Sequence, residues 1–370
     1  MLEREDFYLI LERTLAEHKD KIGIDDGKIK VGAVSRKDKL FVNTRLNAIL
    51  AKHPSEAVED YLKTEYHISG SLPRRLIVKA YLWTSTFFVP PFAQKSIRVN
   101  FKNHVVISNV LIYPCNKKIR LFDFNEGVVY TMLKDGFPSL YIDRETAFRL
   151  IRTEPFVPRI DQHYKGFYSE RIINGKPLAR INDKNLVDEC KKKALQYILS
   201  MTDEADRIRV ADYINVIKEN CLDQLRQKSS FKESDFVKSI FETILSVNSD
   251  EEITLVTSHG DLQPGNIWIR DDGQIVIIDW ETVKKRSRYY DYVALYFGLR
   301  KKNSYQRVIG QIMCSNEIQR MVDTCSLETI TKVVLAEELA YQTEELISFP
   351  DNIGVKEYLQ VLNEYKTIVL

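Results

Sequence analysis

The sequence predicts an α+β fold in which a mixed α/β region precedes a small strand-rich lobe and a larger helical lobe. Two observations support this prediction. Between residues 104 and 134, apolar residues cluster and alternate in three short runs, as is typical of strands. From residue 184 onward they recur mainly at i, i+3 and i+4, as is typical of amphipathic helices. We place the three regions at 1–104, 105–175 and 176–370.

The first region, residues 1–104, carries no motif that assigns it a role. Its pattern predicts helices at 2–21 and 55–66 and short strands at 28–34 and 39–42. The N-terminal segment is charged and amphipathic, so we expect a helix there and not a signal peptide.

The strand-rich lobe is predicted from successive β patterns that end in turns. Asn125, Glu126 and Gly127 separate two of the runs, which indicates a hairpin. A helix with Asp143 near its start follows. The predicted strands are 104–113, 118–124, 128–134 and 166–173, and the predicted helix is 141–153. This order predicts an antiparallel sheet that packs with one helix.

The last region is mainly helical, with a single hairpin in its middle. The turn Asp271-Asp272-Gly273 separates two apolar runs, and a further strand precedes them. The predicted helices are 184–200, 203–227, 234–247, 289–299, 305–323 and 327–347, and the predicted strands are 253–257, 266–270 and 274–278.

The composition excludes several classes of protein. With 44% hydrophobic and 29% charged residues among 370, the chain is typical of a globular protein. Its formal net charge of +2 argues against a protein that binds nucleic acid by bulk electrostatics. Five scattered cysteines without a C-x-x-C pair indicate reduced thiols, and therefore a cytoplasmic protein.

Residues 77–92 are the nearest approach to a membrane segment. They are too short to span a bilayer and contain Lys79, Pro90 and Pro91, so we expect no transmembrane helix. Two interpretations stay open for the aromatic residues of this segment. They pack in a core or between domains, which we favour, or they contact a membrane surface peripherally.

The most informative segment, residues 257–281, reads TSHGDLQPGNIWIRDDGQIVIIDWE. Asp261 precedes Asn266 by five residues, and Asp279 follows at the end of the predicted hairpin. Carboxylate and amide oxygens at this spacing match the inventory for phosphoryl transfer on Mg2+. We therefore predict Asp261 as the catalytic base that orients the acceptor hydroxyl, and Asn266 and Asp279 as the metal ligands.

HGDLQPGN followed by IIDWE resembles the signature of the aminoglycoside phosphotransferase and choline kinase group, which has a protein-kinase-like fold. The resemblance covers residues 105–300 with recognisable motifs. It implies a bilobal fold with a small antiparallel-sheet N-lobe and a larger helical C-lobe. It also implies transfer of a γ-phosphoryl group from ATP, or GTP, to a hydroxyl of a small molecule.

The resemblance extends to candidate nucleotide-binding residues. In the related kinases a strand lysine contacts the phosphates and is oriented by a helix glutamate, which implies Lys134 and Glu145 here. Lys117 and Lys118 are alternatives. The loop expected over the phosphates, residues 113–118, has no glycine, unlike the usual pattern, and Lys117 would compensate with charge.

Further residues are assigned on the same basis. Backbone groups of Glu170 and Ile172 would hydrogen-bond an adenine at the connection between the lobes, although an edge strand without a ligand is the alternative. Gln263 would contact the transferred phosphoryl group or the acceptor. His259 would order the catalytic loop. Asp291 would support that loop, and ordinary helix capping explains it almost as well.

The acceptor is expected to be a small molecule. Only residues 280–290 separate Asp279 from Asp291, which leaves little room for a peptide-docking segment. Residues 315–370 hold ten Asp and Glu against four Lys and Arg, so they form either a site for a cationic acceptor or, as we favour, a solvated helix face. Sugars, amino sugars and amino alcohols all fit. The rival hypothesis is a non-catalytic, kinase-like nucleotide-binding regulatory module.

Overall fold

The computed structural model describes residues 7–25, 27, 29–35, 38–65, 72–102, 104–201, 205–228, 231–247, 250–300, 305–321, 325–349 and 354–368. The chain divides into two compact units. The first comprises Met1–Asn182 and Ile269–Gln274, and the second comprises Asp183–Trp268 and Ile275–Leu370.

The first unit is built on a nine-stranded antiparallel sheet. Its strands are β1 (Lys30–Gly32), β2 (Leu40–Asn43), β3 (Ala48–Ala51), β4 (Lys95–Arg98), β5 (Val110–Pro114), β6 (Lys118–Asp123), β7 (Val128–Leu133), β8 (Ile160–Tyr164) and β9 (Phe167–Arg171). Their spatial order is β1-β4-β2-β3-β5-β6-β7-β9-β8. Residues on both sides of position 104, which the sequence assigned to separate regions, therefore share one sheet.

Alternation along the strands divides the core of this unit between the two faces of the sheet. Leu40 and Ile49 belong to one buried cluster and their chain neighbours Phe41 and Leu50 to another. Successive strand residues point to opposite faces, so both faces need apolar cover. The first cluster includes Leu11 and Leu15 of α1 (Phe7–His18), and the second includes Val58 and Leu62 of α2 (Glu56–Glu65).

The helices of this unit largely follow the prediction. Residues 2–6 and 66 of the two predicted N-terminal helices, and residue 28 of the first predicted strand, lie outside the described residues. The remaining helices are α3 (Leu72–Phe87), α4 (Val89–Phe92) and α5 (Leu140–Leu150). The turn at Gly127 has a φ of 68°, as a tight hairpin between β6 and β7 requires.

Helix α3 differs from the expectation that its aromatic residues are buried. Trp83 is 63% exposed and Phe87 is 58% exposed, and Phe88 beyond the helix end is also exposed. Leu82 belongs to the buried cluster that contains Val58 and Leu62 of α2, and Val78 and Tyr81 pack against that cluster, so Tyr81 does meet the expectation. The segment therefore presents an apolar face to solvent. None of the helices in the described part of the chain is both long enough and apolar enough to cross a membrane.

The second unit is mainly helical and contains a small antiparallel sheet of order β11-β12-β15. These strands are β11 (Asp206–Arg209), β12 (Glu252–Ser258) and β15 (Lys284–Ser287). The helices are α6 (Lys184–Ser200), α7 (Val210–Arg226), α8 (Ser234–Thr243), α9 (Tyr290–Phe297), α10 (Tyr305–Met313), α11 (Asn316–Met321), α12 (Leu327–Ile347) and α13 (Val355–Lys366).

Two predicted helices are interrupted. The one expected at 203–227 begins only at Val210, because Asp206–Arg209 pairs with β12 instead; residues 203 and 204 lie outside the described part. The one expected at 305–323 breaks at Ser315, whose hydroxyl accepts a hydrogen bond from the N–H of Ile318 at 3.1 Å and starts a new helix. Residues 322 and 323 are likewise not described.

Helix α12 lies at the centre of the second unit. Val333, Val334, Leu335 and Leu339 have almost no exposed surface and belong to the main buried cluster. The acidic residues of this helix do not all form a solvated face, since Glu337, Glu338 and Glu344 are buried. That part of the expectation for 315–370 is therefore wrong. Each carboxylate has a polar partner inside the protein, as a buried charge requires.

The predicted hairpin is present as β13 (Ile267–Arg270) and β14 (Ile275–Ile277), which form a sheet with β10 (Gly175–Pro177). The Arg270 N–H donates to the Gln274 carbonyl at 2.9 Å across the turn. The α+β prediction, with a strand-rich part followed by a helical part, is confirmed.

Candidate active site

Asp261 lies in the loop between β12 and β13, within the second unit. Its side chain is 25% exposed. The side-chain amide of Asn266 donates to the main-chain carbonyl of Asp261 at 2.8 Å and lies 3.3 Å from its Oδ2. The five-residue spacing therefore bends the loop so that the two predicted functional side chains meet.

Ile278, the residue before Asp279, is hydrogen-bonded to the same loop through both its N–H and its carbonyl. The Ile278 N–H donates to the Asn266 carbonyl at 2.9 Å, and the His259 Nε2 lies 2.9 Å from the Ile278 carbonyl. The Asp261 N–H donates to His259 Nδ1 at 3.2 Å, so the ring carries its proton on Nε2. His259 thus orders the loop, as the sequence predicted, and connects it to the residue that precedes Asp279.

Asp279 has φ 62° and ψ 54°, a left-handed conformation. Only Asn47 and Asp279 adopt a positive φ among the described residues other than glycine. Such a conformation costs roughly 1–3 kcal/mol and is concentrated at functional sites. Here it turns the chain sharply from β14 into the following 3-10 turn, Trp280–Thr282. The strain marks Asp279 independently of its place in the motif.

Asp291 supports the catalytic loop from α9. Its two carboxylate oxygens accept hydrogen bonds from the N–H groups of His259 at 2.7 Å and Gly260 at 3.0 Å. Gly260 has a φ of 82°, and a Cβ there would lie 2.2 Å from the Arg286 guanidinium. The loop conformation therefore requires glycine at this position, and Asp291 does more than cap its own helix.

Gln263 has its side-chain amide directed back toward Asp261, with Nε2 3.4 Å from Oδ2. That distance is too long for a strong hydrogen bond. The arrangement places Gln263 beside the candidate base, on the side of the carboxylate that Asn266 also approaches.

The sequence did not predict a role for Arg300, which lies beyond α9. Its Nη1 forms an ion pair with Asp261 Oδ1, and its Nη2 donates to the Gly260 carbonyl and, at 3.0 Å, to the Tyr290 hydroxyl. The guanidinium carbon lies 3.4 Å from the centroid of the Tyr341 ring. No motif signals this residue, because it lies 39 positions after Asp261 in a segment without a recognisable pattern.

A buried acidic cluster surrounds Arg300. Glu338 is fully buried, lies 3.6 Å from Arg300 Nε and accepts hydrogen bonds from the Tyr290 hydroxyl at 2.8 Å and Gln342 at 2.6 Å. Burial raises the pKa of Glu338, against the opposing charge of Arg300. Burial opposes the charge on Arg300, but the phenols of Tyr341 and Tyr290 and the carboxylates of Asp261 and Glu338 raise its pKa further. Arg300 is therefore held as a cation.

The first unit contains a separate buried charge network centred on Glu145. Its Oε2 accepts a hydrogen bond from Lys118 at 2.6 Å and its Oε1 from Arg149 at 3.0 Å. Arg149 also pairs with Glu170 and donates to the Pro158 carbonyl at 2.9 Å. Burial alone would raise the pKa of Glu145, but the charges of Lys118 and Arg149 lower it to about 2.

The sequence predicted Lys134 as the lysine that Glu145 orients, with Lys117 and Lys118 as alternatives. The structure places Lys118, one of the alternatives, beside the carboxylate, because Lys118 begins β6, opposite Leu133 of β7. Lys134 is buried with its ammonium 5.5 Å from the centroid of Phe137. Lys117 is also buried, and its ammonium lies 3.5 Å from the centroid of Tyr141.

The predicted adenine-binding residues, Glu170 and Ile172, already take part in hydrogen bonds within the protein. Glu170 lies in β9 between β7 and β8, and its carboxylate accepts from Arg149. The Ile172 N–H donates to the Gly127 carbonyl at 2.9 Å. An adenine would have to take this N–H away from Gly127, and β9 is an interior strand of the sheet, so the segment is not the edge strand of the alternative either.

The glycine-free loop forms a tight turn between β5 and β6. The Cys115 N–H donates to the Lys118 carbonyl at 2.8 Å. The turn brings Lys117 and Lys118 directly to the start of β6. It supplies positive charge, whereas a glycine-rich loop would supply closely approaching backbone N–H groups.

The donor set beside Asp261 suits a cation shared with phosphate. The described residues contain no cluster of three or more His, Cys, Asp and Glu side chains that could hold a metal ion alone. Asn266 and Asp279 supply two oxygen-bearing side chains. Mg2+ is typically held by one or two carboxylates together with substrate phosphates and water. The residues present therefore fit Mg2+ bound together with a nucleotide.

Comparisons with known proteins were made for the whole chain. The family model described as "Phosphotransferase enzyme family" matches residues 192–308, which include Asp261, Asn266, Asp279 and Arg300. None of the curated protein sequences matches the chain.

Several solved structures are similar. An ethanolamine kinase from Plasmodium vivax has 14% identity and a TM-score of 0.45, with 84% of this chain and 94% of that chain covered. A choline kinase from Cryptosporidium parvum has 13% identity and a TM-score of 0.39, with 71% and 90% covered. A thermostable mutant of an aminoglycoside phosphotransferase, in complex with AMP-PNP and hygromycin B, has 11% identity and a TM-score of 0.46, with 70% and 92% covered. Values this low carry no argument about the substrate.

The segment that matches the phosphotransferase family model contains the loop with Asp261 and Asn266 and the strained Asp279. The resemblance stated from HGDLQPGN and IIDWE is thereby confirmed for residues 192–308, which contain both motifs.

Proposed function

We propose that this protein is a small-molecule kinase that transfers the γ-phosphoryl group of ATP to a hydroxyl of a sugar, an amino sugar or an amino alcohol. GTP is the alternative donor. The observation that supports this most directly is the hydrogen-bonded set of Asp261, Asn266 and Ile278, in which Asn266 contacts Asp261 and also accepts from the residue that precedes Asp279. A binding module without turnover has no need of this arrangement.

In this proposal Mg2+ neutralises the charge that develops on the phosphoryl group, and Asn266 and Asp279 hold it. Asp261 accepts a hydrogen bond from the acceptor hydroxyl and orients it for in-line attack. Phosphoryl transfer passes through a loose transition state, so positioning contributes more than proton abstraction. Gln263 lies where it would contact the acceptor or the transferred group.

For the nucleotide phosphates we propose Lys118, oriented by Glu145, in place of Lys134. Lys117, in the same turn, would add positive charge. All five cysteines are free, which suits a reducing compartment such as the cytoplasm.

The second candidate is a non-catalytic nucleotide-binding module. The glycine-free phosphate loop and the N-terminal region without an assigned role keep this candidate open. The two candidates differ in turnover and not in nucleotide binding.

The test is consumption of ATP and GTP in the presence of Mg2+ and pools of sugars, amino sugars and amino alcohols. Wild type is compared with Asp261→Ala, and Arg226→Ala serves as a surface control because Arg226 is exposed and pairs with the exposed Asp223. Loss of a positioned acid or base group lowers the rate by roughly 10²–10⁴-fold. Equal turnover by wild type and Asp261→Ala would contradict the proposal, and nucleotide binding without turnover would favour the second candidate.

A further inference from the structure

Asp261 has two carboxylate oxygens in unequal environments. Oδ1 is paired with the Arg300 guanidinium, a charge-assisted contact. Among the described residues, Oδ2 has only the longer approaches of Asn266 at 3.3 Å and Gln263 at 3.4 Å, which are weak as hydrogen bonds. One oxygen is therefore fixed by a cation while the other keeps its capacity to accept a hydrogen bond.

Arg300 is itself held from several directions. Its guanidinium stacks on Tyr341, donates to the Tyr290 hydroxyl and the Gly260 carbonyl, and lies 3.6 Å from the buried carboxylate of Glu338. A planar guanidinium fixed by stacking and several hydrogen bonds is a rigid reference point, which a lysine would not be. Because Tyr341 and Glu338 belong to α12, the carboxylate of Asp261 is anchored to the core of the second unit.

We propose that Arg300 is a positioning residue for the phosphoryl transfer. By holding Oδ1 of Asp261, it presents Oδ2 to the acceptor hydroxyl in one orientation. This inference rests on the proposed function and deepens it. A purely inhibitory contact would draw the Asp261 carboxylate away from the other site residues. Here its Oδ2 stays on the side of Asn266 and Gln263.

The test compares Arg300→Ala and Arg300→Lys with Arg226→Ala in steady-state assays. These use the nucleotide and the acceptor that the turnover screen described above identifies. Misplacing a reacting group by about 1 Å costs on the order of 10²-fold in rate. We therefore expect kcat to fall about 100-fold in Arg300→Ala, with both KM values and the nucleotide Kd changed by less than roughly threefold, since Arg300 is assigned no ground-state contact with either substrate. Arg300→Lys should retain an intermediate kcat, because it keeps the charge but loses the planar fork.

Chemical rescue separates positioning from a merely structural role. Added guanidinium chloride at millimolar concentration should restore part of the kcat of Arg300→Ala and have no effect on Arg226→Ala. If Arg300→Ala fails to fold, Tyr341→Leu provides the second variant, because it removes the ring beneath the guanidinium and should lower kcat in the same way.

The outcomes are distinct. An unchanged kcat in Arg300→Ala overturns the inference alone, and an increased kcat shows that the contact inhibits and overturns it as well. Loss of kcat that neither guanidinium nor Arg300→Lys recovers assigns Arg300 a structural role. A wild type without turnover overturns the inference together with the proposed function.

Discussion

Replacing Lys118 by Met tests the buried charge network of the first unit. The change leaves the carboxylate of Glu145, which has no exposed surface, paired with Arg149 at 3.0 Å. Removing one member of a buried ion pair costs about 3–5 kcal/mol. Because Arg149 retains part of the compensation, we expect a loss near the lower end, about 3 kcal/mol in the free energy of unfolding.

The lowered pKa of Glu145 gives a second value for this loss in the free energy of unfolding. The network lowers this pKa from its ordinary value of 4.5 to about 2. Such a depression corresponds to about 3 kcal/mol of favourable interaction with the ionised carboxylate. Both values are about 3 kcal/mol. The second includes the contribution of Arg149 as well as that of Lys118.

The assay is thermal and urea unfolding of wild type, Lys118→Met and Lys63→Met. Lys63 is the matched control, because it undergoes the same chemical change in an exposed ion pair of the same unit. For a unit of this size, 3 kcal/mol lowers the Tm by roughly 6–12 °C. Exposed ion pairs contribute little to the free energy of unfolding, so Lys63→Met should have the same Tm as the wild type.

The pH dependence follows from the direction of the shift. Since folding lowers the pKa of Glu145, its stabilisation is fully present above pH 4.5 and is lost as the pH falls toward about 2. The difference between wild type and Lys118→Met should therefore shrink below about pH 4. An equal Tm for Lys118→Met and Lys63→Met at pH 7, or a difference that does not depend on pH, would refute the reasoning.

Three further predictions concern the catalytic unit. Gly260→Ala should lower turnover by more than roughly tenfold and reduce the Tm, because the new Cβ would clash with Arg286 and the backbone there is left-handed. Steady-state kinetics measures the first effect and thermal unfolding the second. Asp291→Asn should lower kcat with little change in the nucleotide Kd, since it removes one acceptor of the loop N–H groups; an unchanged kcat would show that the support is dispensable. Ellman's reagent should label Cys314 first and Cys221 only after unfolding, because burial raises the pKa of the Cys221 thiol to about 12; simultaneous labelling would contradict the fold.

The candidate site was predictable wherever local pattern determines structure. Asp261, Asn266 and Asp279 fall within one strand–loop–hairpin segment, so their spacing alone brings them together. Helices α6 and α12 were predicted to the residue for the same reason, because an uninterrupted helical period specifies them.

The remaining features depend on contacts that are distant in sequence. Arg300 reaches Asp261 across 39 residues, and residues as distant in sequence as Tyr341 and Glu338 help to hold it there. The choice of Lys118 over Lys134 follows from the register of β6 and β7 and from the placement of α5, neither of which a local pattern contains.

The shared sheet of the first unit limits how the chain can be divided. Strand β5 has β3 on one side and β6 on the other, so cleavage near residue 104 would strip β5 of a neighbour and uncover both faces of the sheet. Bare strand edges recruit other chains and promote aggregation. A gene fragment that begins there would therefore express poorly, and the first hundred residues would be inherited together with the rest of the first unit.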